Sequence, residues 1–359
     1  MSRKFFALSL LLVASLVLGA CAAPAPQATE VPVAVEPEVV EVEVEVPADP
    51  GSLVIYSGRS ESLVAPIIQQ FADATGINVE VRYGSTAEIA AALLEEGANS
   101  PADIFYAQDP GGLGAIEDAG LLAPIPADTL AKVAPGFASP NGAWVGITAR
   151  ARVVVYNTGV LSPADLPADI RDFTNPEWNG RLGLAPTNAS FVVMVTAMRQ
   201  MWGEADTEAW LAGIAANNPT YYSGNGGVVT AVGAGEVEVG FVNHYYLYQF
   251  MAEQGESFPV RNHYLSNGGP ESLVMVSGAG ILANGANQDN AQRFLDFMLS
   301  TVAQQYFASR TFEYPLVEGV ATSSLLVPLA EINGPDISLG SLSDVSGSAA
   351  LIEAAGMVP

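Results

Sequence analysis

The chain has one cysteine, two histidines and 13 basic residues among 359. Each shortage removes a class of function. A lone cysteine, Cys21, excludes a disulfide framework and any site built from several thiolates. Thirteen Lys and Arg against 38 Asp and Glu give a formal charge of −25. That leaves no basic footprint for a phosphate backbone, so no nucleic acid partner is expected. Nucleophilic catalysis needs a base beside a Ser or Cys, and neither His244 nor His263 stands in a recognisable triad context. No zinc-type cluster, GxxxxGK(S/T) phosphate loop or GxGxxG fingerprint appears. An enzyme is therefore not expected. The acidity favours a solvated surface. It also makes each arginine conspicuous, because an anion must be held by one of few cations.

Nor is there an apolar run long enough to span a bilayer. Phe5 to Leu18 is broken only by Ser9 and Ser15 and falls short of the roughly 20 residues a span requires. Behind Arg3 and Lys4 it reads as a secretion signal. It ends in Leu18-Gly19-Ala20-Cys21, which resembles the lipobox of bacterial lipoproteins. The resemblance implies a signal peptide over 1–20, lipidation of Cys21, and anchoring on the extracytoplasmic face of the cell membrane. The rest of 21–50 is Ala, Pro, Val and Glu without a base, the composition of a disordered tether. Val40 to Val46 alternates like a strand, but its glutamates share one face, which favours a solvated, extended segment. A flexible coil of this length spans about 30 Å.

The folded part, 51–359, is long for one core and comfortable for two lobes. Leu53 to Tyr56 reads as a buried strand with a turn at Ser57-Gly58. Leu63, Val64, Ile67, Ile68 and Phe71 then recur at helical spacing, with Gly76 placed as a C-cap. Ile77 to Val81 is a second strand. Ser85 and Glu88 have capping-box spacing ahead of a helix over Ile89 to Glu96. Asp103 to Tyr106 is a third strand. Further strands are expected at Ala151 to Tyr156, Leu182 to Leu184 and Val274 to Leu282. Val228 to Gly233 leads into another at Val237 to Val242, and helices are expected at Phe191 to Met201, Thr207 to Ala216 and Gln288 to Leu299. Alternating strands and helices argue for an α/β fold with a parallel sheet and crossovers.

Ligands of open parallel sheets sit beyond the strands' carboxyl ends. The turns to watch are Ser57 to Ser60, Ala107 to Asp109, Pro186 to Ser190 and Asn243 to Tyr246. The last places adjacent tyrosines, Tyr245 and Tyr246, directly after a strand. Phenolate is a charged oxygen donor of the kind a hard ferric ion favours. A free phenol titrates near 10, so forming that bond releases protons. Equally, one tyrosine could pack and the other stand exposed. Tyr221-Tyr222 is a second pair, ahead of a glycine-rich turn and read as structural.

The segments LVIYSGRSESL, SPADIFYAQD, ARARVVVYNT, WNGRLGLAPTNASF, GEVEVGFVNHYY, VSGAGIL and FEYPL, in this order and spacing, resemble the bacterial periplasmic ferric-ion-binding proteins. These form the transferrin-like branch of the solute-binding proteins of ABC importers. The resemblance implies the type II periplasmic-binding-protein fold, two α/β lobes joined by two crossover strands. Lobe one is expected at 51–148 plus 275–325, lobe two at 149–274 plus 326–359. It implies that Tyr245 and Tyr246 bind Fe³⁺ with a synergistic anion such as carbonate, phosphate or citrate. The matching anion positions are Arg150, Asn188, Ala189, Ser190, Asn225 and Asn243; Arg59 joins them from its place after the first strand. The implied partners are an ABC permease and ATPase, and the implied state is a monomer. Some members add a His, a Glu or a third Tyr where this chain has Ser60, Gln108 and Phe191. These three and Asp109 are expected to line the cleft of a ligand-poor site. His244 is expected to be structural. A metal-free carrier of a small oxyanion or organic anion, and a sensory lipoprotein, remain as alternatives.

Overall fold

A computed structural model describes residues 50–357; the secretion signal, Cys21 and the tether up to residue 49 lie outside the described residues. No described helix is long and apolar enough to cross a membrane.

The first sheet opens as expected. β1 (Ser52–Ser57), α1 (Glu61–Thr75), β2 (Asn78–Tyr83), α2 (Thr86–Glu96), β3 (Ile104–Ala107) and α3 (Pro110–Asp118) alternate, with β1 parallel to both β2 and β3. The helix α1 forms because its apolar positions share one face. All five are buried, each contributing about 1.5–3 kcal/mol on full burial. Gly76 ends it in the left-handed region, φ 71°. Both bonds of the Ser85–Glu88 capping box are made at the start of α2. After the short α4 (Ala127–Leu130) comes β4 (Val145–Asn157), buried along its whole length.

The second sheet gathers β5 (Leu182–Leu184), β6 (Thr220–Tyr221), β7 (Val239–Asn243) and β8 (Val260–His263). Around it stand α5 (Ala189–Trp202), α6 (Glu204–Ala216), α7 (Asn225–Ala234) and α8 (Tyr245–Gln254). Val228 to Gly233 therefore lies within a helix. The chain returns through β9 (Val274–Ile281), α9 (Gln288–Met298), α10 (Thr301–Tyr306) and β10 (Tyr314–Pro315), and ends on α11 (Val345–Ala354).

The sheets are mixed rather than wholly parallel. β9 runs antiparallel to β3 and β4, and β4 antiparallel to β7, β8 and β10. The antiparallel strands are the ones that link the lobes. β4 pairs with β9 as far as Ala151 and with β7 from Arg152 onward, so one strand serves both sheets. β8 leads back to β9 through a single 3₁₀ turn, Pro270–Ser272. The result is the two-lobed type II binding-protein fold with two crossovers.

Candidate functional site

The site forms where β4 passes from one sheet to the other. Arg150 stands opposite Met275 of β9, and Arg152 opposite Asn243 of β7. Residues two apart on a strand point to the same face, so both arginines enter the same region, and both are buried. Arg59 arrives from the turn after β1 and is buried too.

The three guanidinium groups differ in their partners. Arg59 Nη2 donates to Glu313 Oε2 at 2.7 Å, while its Nε and Nη1 meet no protein acceptor. Glu313 is held in turn by the hydroxyls of Thr148 and Thr311, each at 3.0 Å. Arg152 donates to Asn243 Oδ1 (3.1 Å) and to the Phe241 carbonyl (2.8 Å), leaving Nε unpaired. Arg150 makes no hydrogen bond to protein from any of its three nitrogens. Burying an ion without a partner costs several kcal/mol. Burial, and then Arg59, push the Arg150 pKa down; burial pulls that of Arg152 to about 9. Burial opposes the charge of Arg59 as well, but Glu313 together with Tyr106, Tyr245 and Tyr246 outweighs it and the pKa rises.

Beside these cations lie Tyr245 and Tyr246, in the first turn of α8. Only His244 separates β7 from this helix, so the tyrosines sit on a helix rather than in an extended turn. Their rings stack at 4.5 Å between centroids. Tyr245 is buried and its hydroxyl meets no protein group. Burial, and then the neighbouring Tyr245, raise the Tyr246 pKa well above that of a free phenol. Arg59, Arg150 and Arg152 all interact electrostatically with Tyr245.

His244 is held as structure. Its Nδ1 accepts from the Ala151 amide at 3.2 Å, which leaves Nε2–H to donate to the Phe312 carbonyl at 2.9 Å. The ring stacks on Tyr314 at 4.6 Å, and burial drives its pKa to about 3. With both nitrogens engaged, it has no lone pair left for a metal.

A chain of amides closes the cleft. Asn188 caps α5 by accepting from the Ser190 amide, and its Oδ1 also receives Asn225 Nδ2 at 3.3 Å. Ser190 Oγ accepts from Asn243 Nδ2 at 3.1 Å and from Gln108 Nε2 at 3.2 Å. A hydroxyl has one proton and two lone pairs. With both lone pairs engaged, Ser190 can only donate, and an oxyanion is the natural recipient. Ala189 opens α5 beside it, where helix amides favour negative charge.

Two positions expected to line the cleft offer no donor to the buried cluster. Phe191 belongs to the core of the second lobe, packed with Trp178, Phe241 and Met194, because the first turn of α5 faces inward there. Ser60 is exposed at the N-cap of α1 and makes no capping bond. Gln108 and Asp109 are buried, and Gln108 reaches Ser190 across the cleft. Two contributors were not singled out from sequence. Arg152 had a visible signal, a second arginine two residues after Arg150 in an otherwise apolar strand. Glu313 is paired with a residue 254 positions away, so no local pattern marks it.

The sequence profile of the bacterial extracellular solute-binding proteins matches residues 53–313. The chain is 37% identical over 297 residues to the Fe(3+)-binding periplasmic protein of Serratia marcescens, covering 82% of this chain and 87% of that protein. The crystal structure of iron-bound HitA from Pseudomonas aeruginosa superposes with a TM-score of 0.82 at 37% identity, over 86% of this chain and 100% of the other. A Trichodesmium protein, IdiA (FutA), in complex with iron and citrate gives 0.72 at 27% identity, covering 85% and 99%. These are solute-binding transport proteins and not enzymes, and the chain belongs to this family of bacterial extracellular solute-binding proteins, on its periplasmic ferric-ion-binding branch.

Proposed function

We propose that the protein captures ferric iron in the interlobe cleft through the phenolates of Tyr245 and Tyr246 and completes the metal's shell with an anion. The observation that carries this is that Arg150, Arg59 and Tyr245 are each buried with unpaired polar atoms and lie near enough to interact electrostatically. Fe³⁺ with two phenolates keeps one positive charge. An oxyanion bound to it can receive the free N–H groups of Arg150 and Arg59 and the Ser190 hydroxyl. Guanidinium forks match an oxyanion bidentately, which a lysine cannot do. Relatives described as iron-bound, one with citrate, support the same reading. Carbonate, phosphate and citrate all have the required acceptor geometry.

The lobes are proposed as 51–148 plus 275–325 and 149–274 plus 326–359. Cys21, lipidated, would tether a monomer to the outer face of the cell membrane, from which it delivers iron to an ABC permease and ATPase. The test is a titration of metal-free protein with ferric iron, with and without these anions. A phenolate-to-iron charge-transfer band and anion-dependent affinity are expected. Tight anion binding with no iron band under any condition would instead select a metal-free anion carrier, whose binding groups the same arginines would supply.

A further inference from the structure

Beside the donors of this site sits a buried carboxylate with one oxygen that makes no hydrogen bond within the protein. Asp109 follows β3 and caps α3, its Oδ1 accepting from the Gly112 amide at 3.0 Å. Its Oδ2 meets no protein donor, although the residue is only 1% exposed. Burial raises the Asp109 pKa, against the Gly112 amide and Arg150, which favour the ionised carboxylate; burial and then Arg59 lower that of Arg150, against a smaller opposing pull from Asp109. Yet the two form no ion pair, and every nitrogen of Arg150 stays unbonded to protein. Asn225, which lies near Tyr246, also keeps an unpaired buried acceptor, Oδ1.

A fully deprotonated oxyanion satisfies the arginines but turns a lone pair toward Asp109. An oxyanion that keeps one proton satisfies both sides, accepting from Arg150 and donating to the carboxylate. We propose that Asp109 is a specificity-determining residue that makes this cleft select an anion bearing a proton or hydroxyl: hydrogenphosphate, hydrogencarbonate or an α-hydroxycarboxylate. This rests on the reading of the cleft as an iron and anion site. It adds that the anion is chosen by a donor it must carry and not by charge alone. Asp109 binds no iron in this scheme.

Phosphate and sulfate make the discriminating pair, since both are dianions at pH 8 and only phosphate retains a proton. Citrate and tricarballylate make the second pair, differing by the hydroxyl, and separate an organic source of the donor from an inorganic one. Calorimetric titration of the metal-free full chain should give at least tenfold tighter binding for the proton-bearing member of one pair. Asp109→Asn keeps the helix cap through Oδ1 and turns an NH₂ donor toward the anion. It should lower that preference at least tenfold and improve sulfate or tricarballylate binding. Asp109→Ser, also a capping residue, should fall between and guards against a folding artefact. Equal binding within both pairs by the wild type, or an unchanged ratio in Asp109→Asn, overturns the proposal. The ferric titration in parallel separates the two readings: an iron band that persists with indifferent anion choice defeats only the role of Asp109. Loss of both iron and anion binding in the wild type defeats the cleft reading and this proposal with it.

Discussion

Gln108 Nε2 donates to Ser190 Oγ at 3.2 Å, bridging the turn after β3 and the start of α5 across the cleft. The Gln108 backbone amide is itself anchored on Thr86 Oγ1 at 3.1 Å, so the side chain projects from a fixed base. In the proposed two-lobe closure, this neutral amide would hold the two lobes together without acting as a metal ligand. A hydrogen bond of this kind contributes about 1 kcal/mol. Gln108→Ala should therefore shift the metal-free protein toward the open form by roughly fivefold. Small-angle scattering should show a larger radius of gyration for the metal-free variant and an unchanged one for iron-loaded protein. An identical metal-free profile would mean the bridge has no part in closure.

Tyr245→Phe and Tyr246→Phe should each remove most of the visible iron band and weaken ferric affinity by at least two orders of magnitude. Each phenolate formed from a phenol releases a proton, so affinity must fall as pH falls, by about 100-fold per pH unit with two such ligands. Each single variant should show half that slope. Burial raises the Tyr246 pKa, so its proton is harder to displace than that of a free phenol. A slope that is the same in all three proteins would place the metal ligands elsewhere.

How far the sequence led is clearest at these residues. Helical spacing in α1, the capping box of α2 and the strand before the tyrosine pair were local patterns, and the structure has them. The strand β4 was legible only in its second half. Its first half, Val145 to Arg150, gains its identity from β9 and β10, more than 120 positions away. The same holds for function. The proposed ligands Tyr245, Tyr246, Arg150 and Asn188 were picked out by motif, whereas the Arg59–Glu313 pair exists only once β1 and β10 are brought to one sheet. Phe191 was misplaced because position in a motif says nothing about which way a helix turns its first residues.

Arg150 offers a test in which stability and function move in opposite directions. Its guanidinium is buried, meets no protein acceptor and has its charge disfavoured by burial and by Arg59. Arg150→Met replaces it by an apolar side chain of similar length. The metal-free variant should become more stable by about 1–3 kcal/mol, seen as a higher Tm, since an unpaired buried charge is removed. The same variant should lose the anion's stimulation of ferric binding, by at least tenfold in affinity. A variant both less stable and fully anion-responsive would show that Arg150 is a structural residue.

Glu271 should make stability fall as the medium turns from acid to neutral. It lies in the 3₁₀ turn between β8 and β9, where the chain recrosses from the second sheet to the first. Its carboxylate folds back over Gly269, the residue is 4% exposed, and Oε2 meets no protein donor. Burial pushes its pKa up to about 7; its own backbone amide and Arg171 pull the other way, and Asp169 reinforces the rise. The folded value thus stands above the ordinary carboxylate value of 4.5. Between the two, the folded protein holds a proton that the unfolded chain has lost. Stability is then greatest below about pH 4.5 as far as this group is concerned, and it declines as pH rises through about 7. Glu271→Gln keeps the shape and removes the titration. Urea unfolding should find the variant close to wild type at pH 5 and more stable at pH 8 by on the order of 2 kcal/mol. Glu271 sits on a crossover, so the cost of burying its charge falls on that segment. Metal-free wild type should accordingly show faster amide exchange at residues 264–273 at pH 8 than at pH 6 after correction for intrinsic rates, and Glu271→Gln should not. Parallel stability curves for the two proteins from pH 5 to 8 would show that the carboxyl is ionised in the fold at no cost, and the argument from its burial would fail.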